Sequence, residues 1–147
     1  MKFEVKKLIR FHHCDPAGIV FYPQYFYLLH EVQEDFLAHI GYPEHGLIAS
    51  GLGVPIVDLK TEFIGMCRYG DEVSISLGLT RVGHASIAMR YEIHSVLRPP
   101  GKDSSLKLRA KTVVVCAEVS NGKVLGIPDG LRAALLPYLK IQLENNP

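Results

Sequence analysis

The rhythm of hydrophobic and polar positions changes twice along this chain, and the changes divide it into three zones. Residues 2–10 alternate around Phe3 and Val5, the period of a half-buried strand. From residue 23 to residue 40 the period lengthens. Phe26, Leu29, Phe36, Leu37 and Ile40 recur at helical spacing, and Leu28 and Val32 widen the apolar stripe. Glu31, Glu34, Asp35 and Ala38 form a more polar stripe. Pro23 suits the first helical turn, and Gly41-Tyr-Pro stops the helix. So wide an apolar face predicts a helix wrapped by protein on most sides.

Beyond a Gly-rich connector at 41–53 the period shortens again. Four strand-like segments follow, at 55–66, 72–81, 85–97 and 105–119. Alternation is cleanest through Val73, Ile75, Leu77 and Leu79, and again through Ile87, Met89, Tyr91 and Ile93. Val82-Gly83-His84 predicts a tight hairpin, and Arg98-Pro-Pro-Gly-Lys-Asp a longer one. Ser120-Asn-Gly predicts another turn, and 127–143 a closing helix interrupted near Pro137. Strand, long helix, then antiparallel strands is an α+β order, in one domain over 1–147 without repeat or linker. One helix covers only part of one sheet face, and outer strands need cover. A strongly curved sheet around the helix, paired with a second copy, meets both needs.

Composition narrows the function classes. Nearly half of the 147 residues are apolar, which argues against disorder. The net charge of +1 gives no reason to expect nucleic acid or a membrane surface as partner. No apolar run approaches the roughly 20 residues of a bilayer span, and residues 1–7 hold no apolar stretch of the length a secretion signal needs, so none is expected. Three widely spaced cysteines, Cys14, Cys67 and Cys116, argue against a disulfide framework. A cytoplasmic protein is the expectation.

The candidate chemistry lies in residues 12–25. Asp15 stands in an Asp-Pro-Ala-Gly turn that runs into the helix at Pro23, so its carboxylate is expected on a rigid loop. The first turn of that helix should offer free backbone N–H groups and the positive end of a dipole. A carboxylate beside such donors has the two parts of an acyl-transfer site, a base or nucleophile and an oxyanion binder. The bland reading of Asp15 is a turn-former. His12, His13 and Cys14 invite a zinc reading, but consecutive ligands diverge and no Cys-x-x-Cys or His-x-x-x-His partner lies elsewhere. Polar residues at the mouth of a site is the better account of them. No metal is expected.

Asp15-x-x-Gly18-x-Val20-x-x-x-x-Tyr25 resembles the signature of hotdog-fold acyl-CoA thioesterases. The string Cys-Asp-Pro-Ala-Gly-Ile-Val with Tyr-Pro-x-Tyr is most similar to the 4-hydroxybenzoyl-CoA thioesterase branch, and Pro55-Ile-Val and Tyr69-Gly-Asp-Glu also match. The resemblance implies a hotdog fold, a curved antiparallel sheet wrapped around a long central helix. It also implies hydrolysis of an acyl-CoA to free acid and coenzyme A, with no cofactor beyond the CoA of the substrate. Asp15 would act as nucleophile or as base for water, and the Tyr22 backbone N–H would polarise the thioester carbonyl. Gly18 would allow close backbone approach, and Tyr25 would pack or line the acyl pocket. Val20 and His13 join them as expected substrate-binding positions. The implied assembly is a homodimer or homotetramer.

The sequence departs from its relatives at His30, where many carry an acid, and at Val82-Gly83-His84-Ala85, which is strongly basic in the 4-hydroxybenzoyl-CoA enzyme. Arg68, Arg81, Arg90 and Lys60 are candidates for the CoA phosphates. Glu31 and Glu34 read as a solvated or interface stripe. The aromatic run from Phe21 to Phe26 favours an aromatic acyl group. The rivals are a short-chain aliphatic acyl-CoA thioesterase, a hotdog hydratase and a non-catalytic acyl-CoA-binding module.

Overall fold

The alternation seen in the sequence becomes one antiparallel sheet. The computed structural model describes residues 1–96 and 105–139. Its five main strands are β1 (Phe3–Leu8), β3 (Ile56–Phe63), β4 (Glu72–Val82), β5 (Ser86–Ser95) and β6 (Leu106–Val115), in the order β1-β4-β5-β6-β3. The helix α1 (Pro23–His39) lies against this sheet, packed nearest β4. A short helix α2 (Glu44–Ala49) follows it, and α3 (Asp129–Leu135) closes the described chain. The inward positions of β4 and β5 are those the alternation marked: Ile75, Leu77, Leu79, Ile87, Met89, Tyr91 and Ile93 are all buried. Against them α1 sets Leu28, Val32 and Phe36. Each such side chain, removed from water, stabilises the fold by about 1.5–3 kcal/mol.

Several boundaries differ from expectation, each for a local reason. The connector at 41–53 contains α2 and a two-residue strand β2 (Leu52–Gly53). The latter pairs with β7 (Ala117–Glu118), which the segment 105–119 had merged with β6. The closing helix stops at Leu135 and tightens into a 3-10 turn over Leu136–Tyr138, because Pro137 has no N–H to continue the ladder. The rest of the expected 127–143 helix, beyond residue 139, and the Arg98-Pro-Pro-Gly-Lys-Asp turn lie outside the described residues. The Gly83 hairpin is present, with the Gly83 N–H donating to the Ser86 carbonyl. Arg132 of α3 holds that turn by donating to the Gly83 and His84 carbonyls.

In the single chain α1 is covered on one side only, and Tyr27, Glu31, Glu34, Asp35 and Ala38 face outward. The sheet is equally one-sided at its far edge. Because α1 sits over β4, the edge strand β3 is exposed at every residue except the half-buried Thr61. Among the described residues no helix is long and apolar enough to cross a membrane.

Candidate active site

Two loops zip together to make the site's frame. Asp15 Oδ1 accepts the Ala17 N–H at 2.9 Å, and the Asp15 carbonyl accepts the Gly18 N–H at 2.9 Å. This is the side-chain-closed turn that Asp favours. Gly18 has φ +80°, and a Cβ there would meet no protein atom within 4 Å. Its glycine is therefore needed for the left-handed turn itself. The chain then runs back beside its own start, with the Phe21 N–H on the His13 carbonyl at 2.9 Å and Cys14 bridged to Val20.

The segment before β4 braces this turn from the other side. Val20 donates to the Cys67 carbonyl at 2.9 Å, Tyr69 donates to the Gly18 carbonyl at 3.1 Å, and Ile19 pairs with Arg68. Asp71 in turn accepts the Arg68 N–H at 2.8 Å. Asp15 is thereby held half-buried on a fixed backbone, with Oδ2 unbonded among the described residues.

The helix start narrows the expected set of donors to one. Gln24 N–H donates to the Phe21 carbonyl and Tyr25 N–H to the Tyr22 carbonyl, while Pro23 has none. The first turn of α1 thus satisfies itself. Of the N–H groups at the start of α1, that of Tyr22, at the helix cap, is left without an acceptor. Around it Tyr22, Tyr25 and Phe26 surround the ring of Phe63, with centroids 6.4, 6.0 and 6.4 Å away. Phe21 stacks edge-on against Tyr22.

The remaining expected site residues sit deeper. Val20 and Tyr25 are buried in the core. The Tyr25 hydroxyl accepts the Cys67 N–H at 3.2 Å, and burial pushes its pKa far above the usual phenol range. His13 is buried rather than placed at an open mouth. Its Nδ1 accepts the Arg10 N–H at 2.8 Å, and burial, reinforced by His12, holds its pKa below the ordinary value. Burial and then the charges of Asp15 and Asp71 push the Cys14 thiol up, so at neutral pH it is a thiol and a poor nucleophile.

A cavity of about 330 Å³ opens one helical turn beyond Tyr22, between α1 and the β3 side of the sheet. Phe26, Leu29 and Gln33 line it from α1, Ile56 and Leu59 from β3, and Tyr91 and Thr112 from the floor. Its size is that of a small-molecule pocket. Along the sequence Tyr91 is marked only as a strand position and Thr112 carries no mark of function. Two hydroxyl-bearing residues at inward positions of neighbouring central strands were the available signal.

Among the described residues, the group of three possible metal ligands is His30, Glu34 and Glu44, not the His12-His13-Cys14 triplet. His30 Nε2 is already paired with Glu34 at 3.2 Å and Glu44 at 3.5 Å. Glu31 forms a surface pair with Lys7. The four basic candidates do not converge. Arg90 turns to Glu92 and Arg81 to Ser86, Lys60 is exposed on β3, and Arg68 stands beside the Asp15 loop.

Residues 9–135 match the family model of the Thioesterase-like superfamily. The 4-hydroxybenzoyl-CoA thioesterase of Pseudomonas sp. (strain CBS-3) is 31% identical over 149 residues, 95% of this chain and 94% of that protein. A 1,4-dihydroxy-2-naphthoyl-CoA hydrolase of Thermosynechococcus vestitus is 24% identical, over 90% of this chain and 87% of its own. The solved structure of the Pseudomonas 4-hydroxybenzoyl CoA thioesterase superposes with a TM-score of 0.77 at 26% identity, covering 89% of this chain and 97% of that one. The chain belongs to the Thioesterase-like superfamily, with the hotdog fold and the activity of an acyl-CoA thioesterase.

Proposed function

We propose that the chain hydrolyses a hydroxylated aromatic acyl-CoA to the free acid and coenzyme A, using Asp15 and the Tyr22 N–H. The observation that carries this is the fixed Asp15 carboxylate, with one oxygen tied to Ala17 and the other free, on the loop that leads to the unpaired Tyr22 N–H. A carboxylate can act as a nucleophile without an activating base. It attacks the thioester carbon, or takes a proton from the water that does. The Tyr22 N–H, at the positive end of α1, stabilises the oxygen on which charge develops. The C–S bond then breaks and coenzyme A leaves as its thiolate. Where Asp15 is the nucleophile, water hydrolyses the mixed anhydride so formed and supplies the thiolate's proton; where Asp15 is the base, it passes to the thiolate the proton it took from water.

The aromatic preference is supported by the rings around Phe63 and the adjoining cavity. It is also supported by the relatives, whose names specify 4-hydroxybenzoyl and 1,4-dihydroxy-2-naphthoyl thioesters. Stacking contributes ~0.5–1.5 kcal/mol per ring pair, enough for a few-fold to tenfold preference.

The working form is a homodimer or homotetramer. Val57 is 60% and Phe63 53% exposed on β3, an edge strand with unpaired backbone groups. Such an edge is covered in a stable protein. Ile56 and Leu59 also form the outer wall of the cavity, so a second copy seated there completes the pocket.

The test is thiol release from a panel of benzoyl-, hydroxybenzoyl-, butyryl- and hexanoyl-CoA, compared as kcat/KM. The aromatic thioesters should be cleaved best. A tenfold advantage for either aliphatic thioester over every aromatic one overturns the substrate reading.

A further inference from the structure

Most of the cavity beside α1 is apolar, so the polar atoms on its floor stand out. Thr112 is 6% exposed, and its Oγ1 has no hydrogen-bond partner of acceptable geometry in the chain. Thr112 is paired with Met89 of β5 on one side and Leu59 of β3 on the other, neither of which offers its side chain an oxygen or nitrogen. Tyr91 lies diagonally across from it on the same face, since Tyr91 pairs with Ala110, two residues before Thr112. The Tyr91 hydroxyl also interacts with the Thr112 side chain, but not in good hydrogen-bond geometry, and its one well-formed bond goes to the Met89 sulfur at 3.4 Å, a weak acceptor.

Two neighbouring buried hydroxyls, neither with a well-formed oxygen or nitrogen partner, are costly to keep in a core. Both line the same cavity. Its α1 wall runs Phe26, Leu29, Gln33, a single helical stripe that starts one turn beyond Tyr22. A flat acyl group whose carbonyl meets the Tyr22 N–H therefore has an apolar channel along α1 for its ring. At the floor of that channel a hydroxyl on the ring finds partners it can both donate to and accept from.

We propose that Thr112 and Tyr91 form the subsite that recognises a hydroxyl on the acyl group, and so set the specificity of the reaction. This rests on the acyl-CoA hydrolysis argued above. A site built to hydrogen-bond a substrate hydroxyl discriminates strongly against the analogue without one, because its own buried groups are then left unpaired.

The experiment compares kcat/KM for 4-hydroxybenzoyl-CoA, 3-hydroxybenzoyl-CoA and benzoyl-CoA in the parent, Thr112→Val, Thr112→Ser and Tyr91→Phe. The parent should prefer one hydroxylated thioester over benzoyl-CoA by about tenfold or more. Thr112→Val, which keeps the side chain's shape, should erase most of that ratio by lowering kcat/KM for the hydroxylated thioester. Thr112→Ser should retain the ratio, and Tyr91→Phe should lower it. If Thr112→Val does not fold, Thr112→Ser and Tyr91→Phe decide the matter. A parent ratio near one, or a ratio unchanged in folded Thr112→Val and Tyr91→Phe, overturns this subsite and leaves aryl-CoA hydrolysis intact. A parent that releases thiol from none of the three overturns the functional reading and the subsite with it.

Discussion

The hydroxyl of Tyr25, on α1, accepts the backbone N–H of Cys67, 42 positions later in the chain. Both residues are buried, and Cys67 also holds the Asp15 loop through its carbonyl. One hydrogen bond thus connects the helix capped by Tyr22 with the segment that braces the Asp15 turn. Tyr25→Phe leaves the Cys67 N–H buried without an acceptor, which costs about 1–3 kcal/mol. Urea unfolding should show a loss of that size, with the slope unchanged.

Asp15→Asn separates the structural from the chemical role of the side chain. The asparagine oxygen can still accept the Ala17 N–H, so the turn and the melting temperature should be preserved. Charge and nucleophilicity are lost, and thiol release should fall by about a hundredfold or more. Circular dichroism on the same sample checks the fold. A large drop in melting temperature with Asp15→Asn would instead make Asp15 a residue of the turn alone.

His13 gives stability a pH dependence whose sign is fixed. Burial first, then the charges of His12, Arg10 and Lys7, hold its pKa below 6.5, with Glu31 opposing. Above 6.5 the ring is neutral in both folded and unfolded chains, and its contribution is complete. As pH falls below that value the unfolded chain takes up the proton first, so stability declines until the folded pKa is passed. His13→Asn offers an oxygen to the Arg10 N–H without titrating. A series of melts from about pH 7.5 to pH 5 should be shallower for the variant than for the parent.

Light scattering at micromolar concentration should give a dimer or a tetramer. A lysine in place of Val57 puts charge on the exposed face of β3, where it meets water in the single chain but not in an assembly. Val57→Lys should therefore shift the protein towards monomer, keep its circular dichroism and lose activity because the cavity wall is open.

Alkylation of Cys14 at neutral pH should be slower than that of an ordinary thiol, since burial and two acidic neighbours disfavour the thiolate. Activity should survive a small adduct there and survive chelators as well. Mass spectrometry after iodoacetamide, read beside thiol release, measures both. Loss on chelation with recovery on added zinc would place a metal in the mechanism.

The parts legible in the sequence are those whose signal is local. Alternation through Val73–Leu79 and Ile87–Ile93 marks β4 and β5, and Pro23 and Gly41 bracket α1. The Asp-Pro-Ala-Gly turn could be read because its hydrogen bonds join residues two and three apart. The six residues of α2 carry a glycine and too few turns for a period to register. The two-residue strands β2 and β7 exist only because they find each other across the chain. The bond between Tyr25 and Cys67 is a tertiary fact without a local trace, and the meeting of Tyr91 with Thr112 depends on strand register. That the Tyr22 N–H is the free one at the start of α1 emerges only once the first turn's own bonds are placed.

The zipper between the Asp15 turn and the segment before β4 has a consequence for how the enzyme chooses. Val20, Gly18 and Ile19 are tied to Cys67, Tyr69 and Arg68, and Cys67 is itself at the centre of the core. The carboxylate is therefore part of the wall, not the tip of a moving lid. A wall cannot follow a carbonyl that arrives an ångström out of place. With Asp15 as the acting carboxylate, a thioester whose carbonyl arrives misaligned would be turned away before any bond is broken.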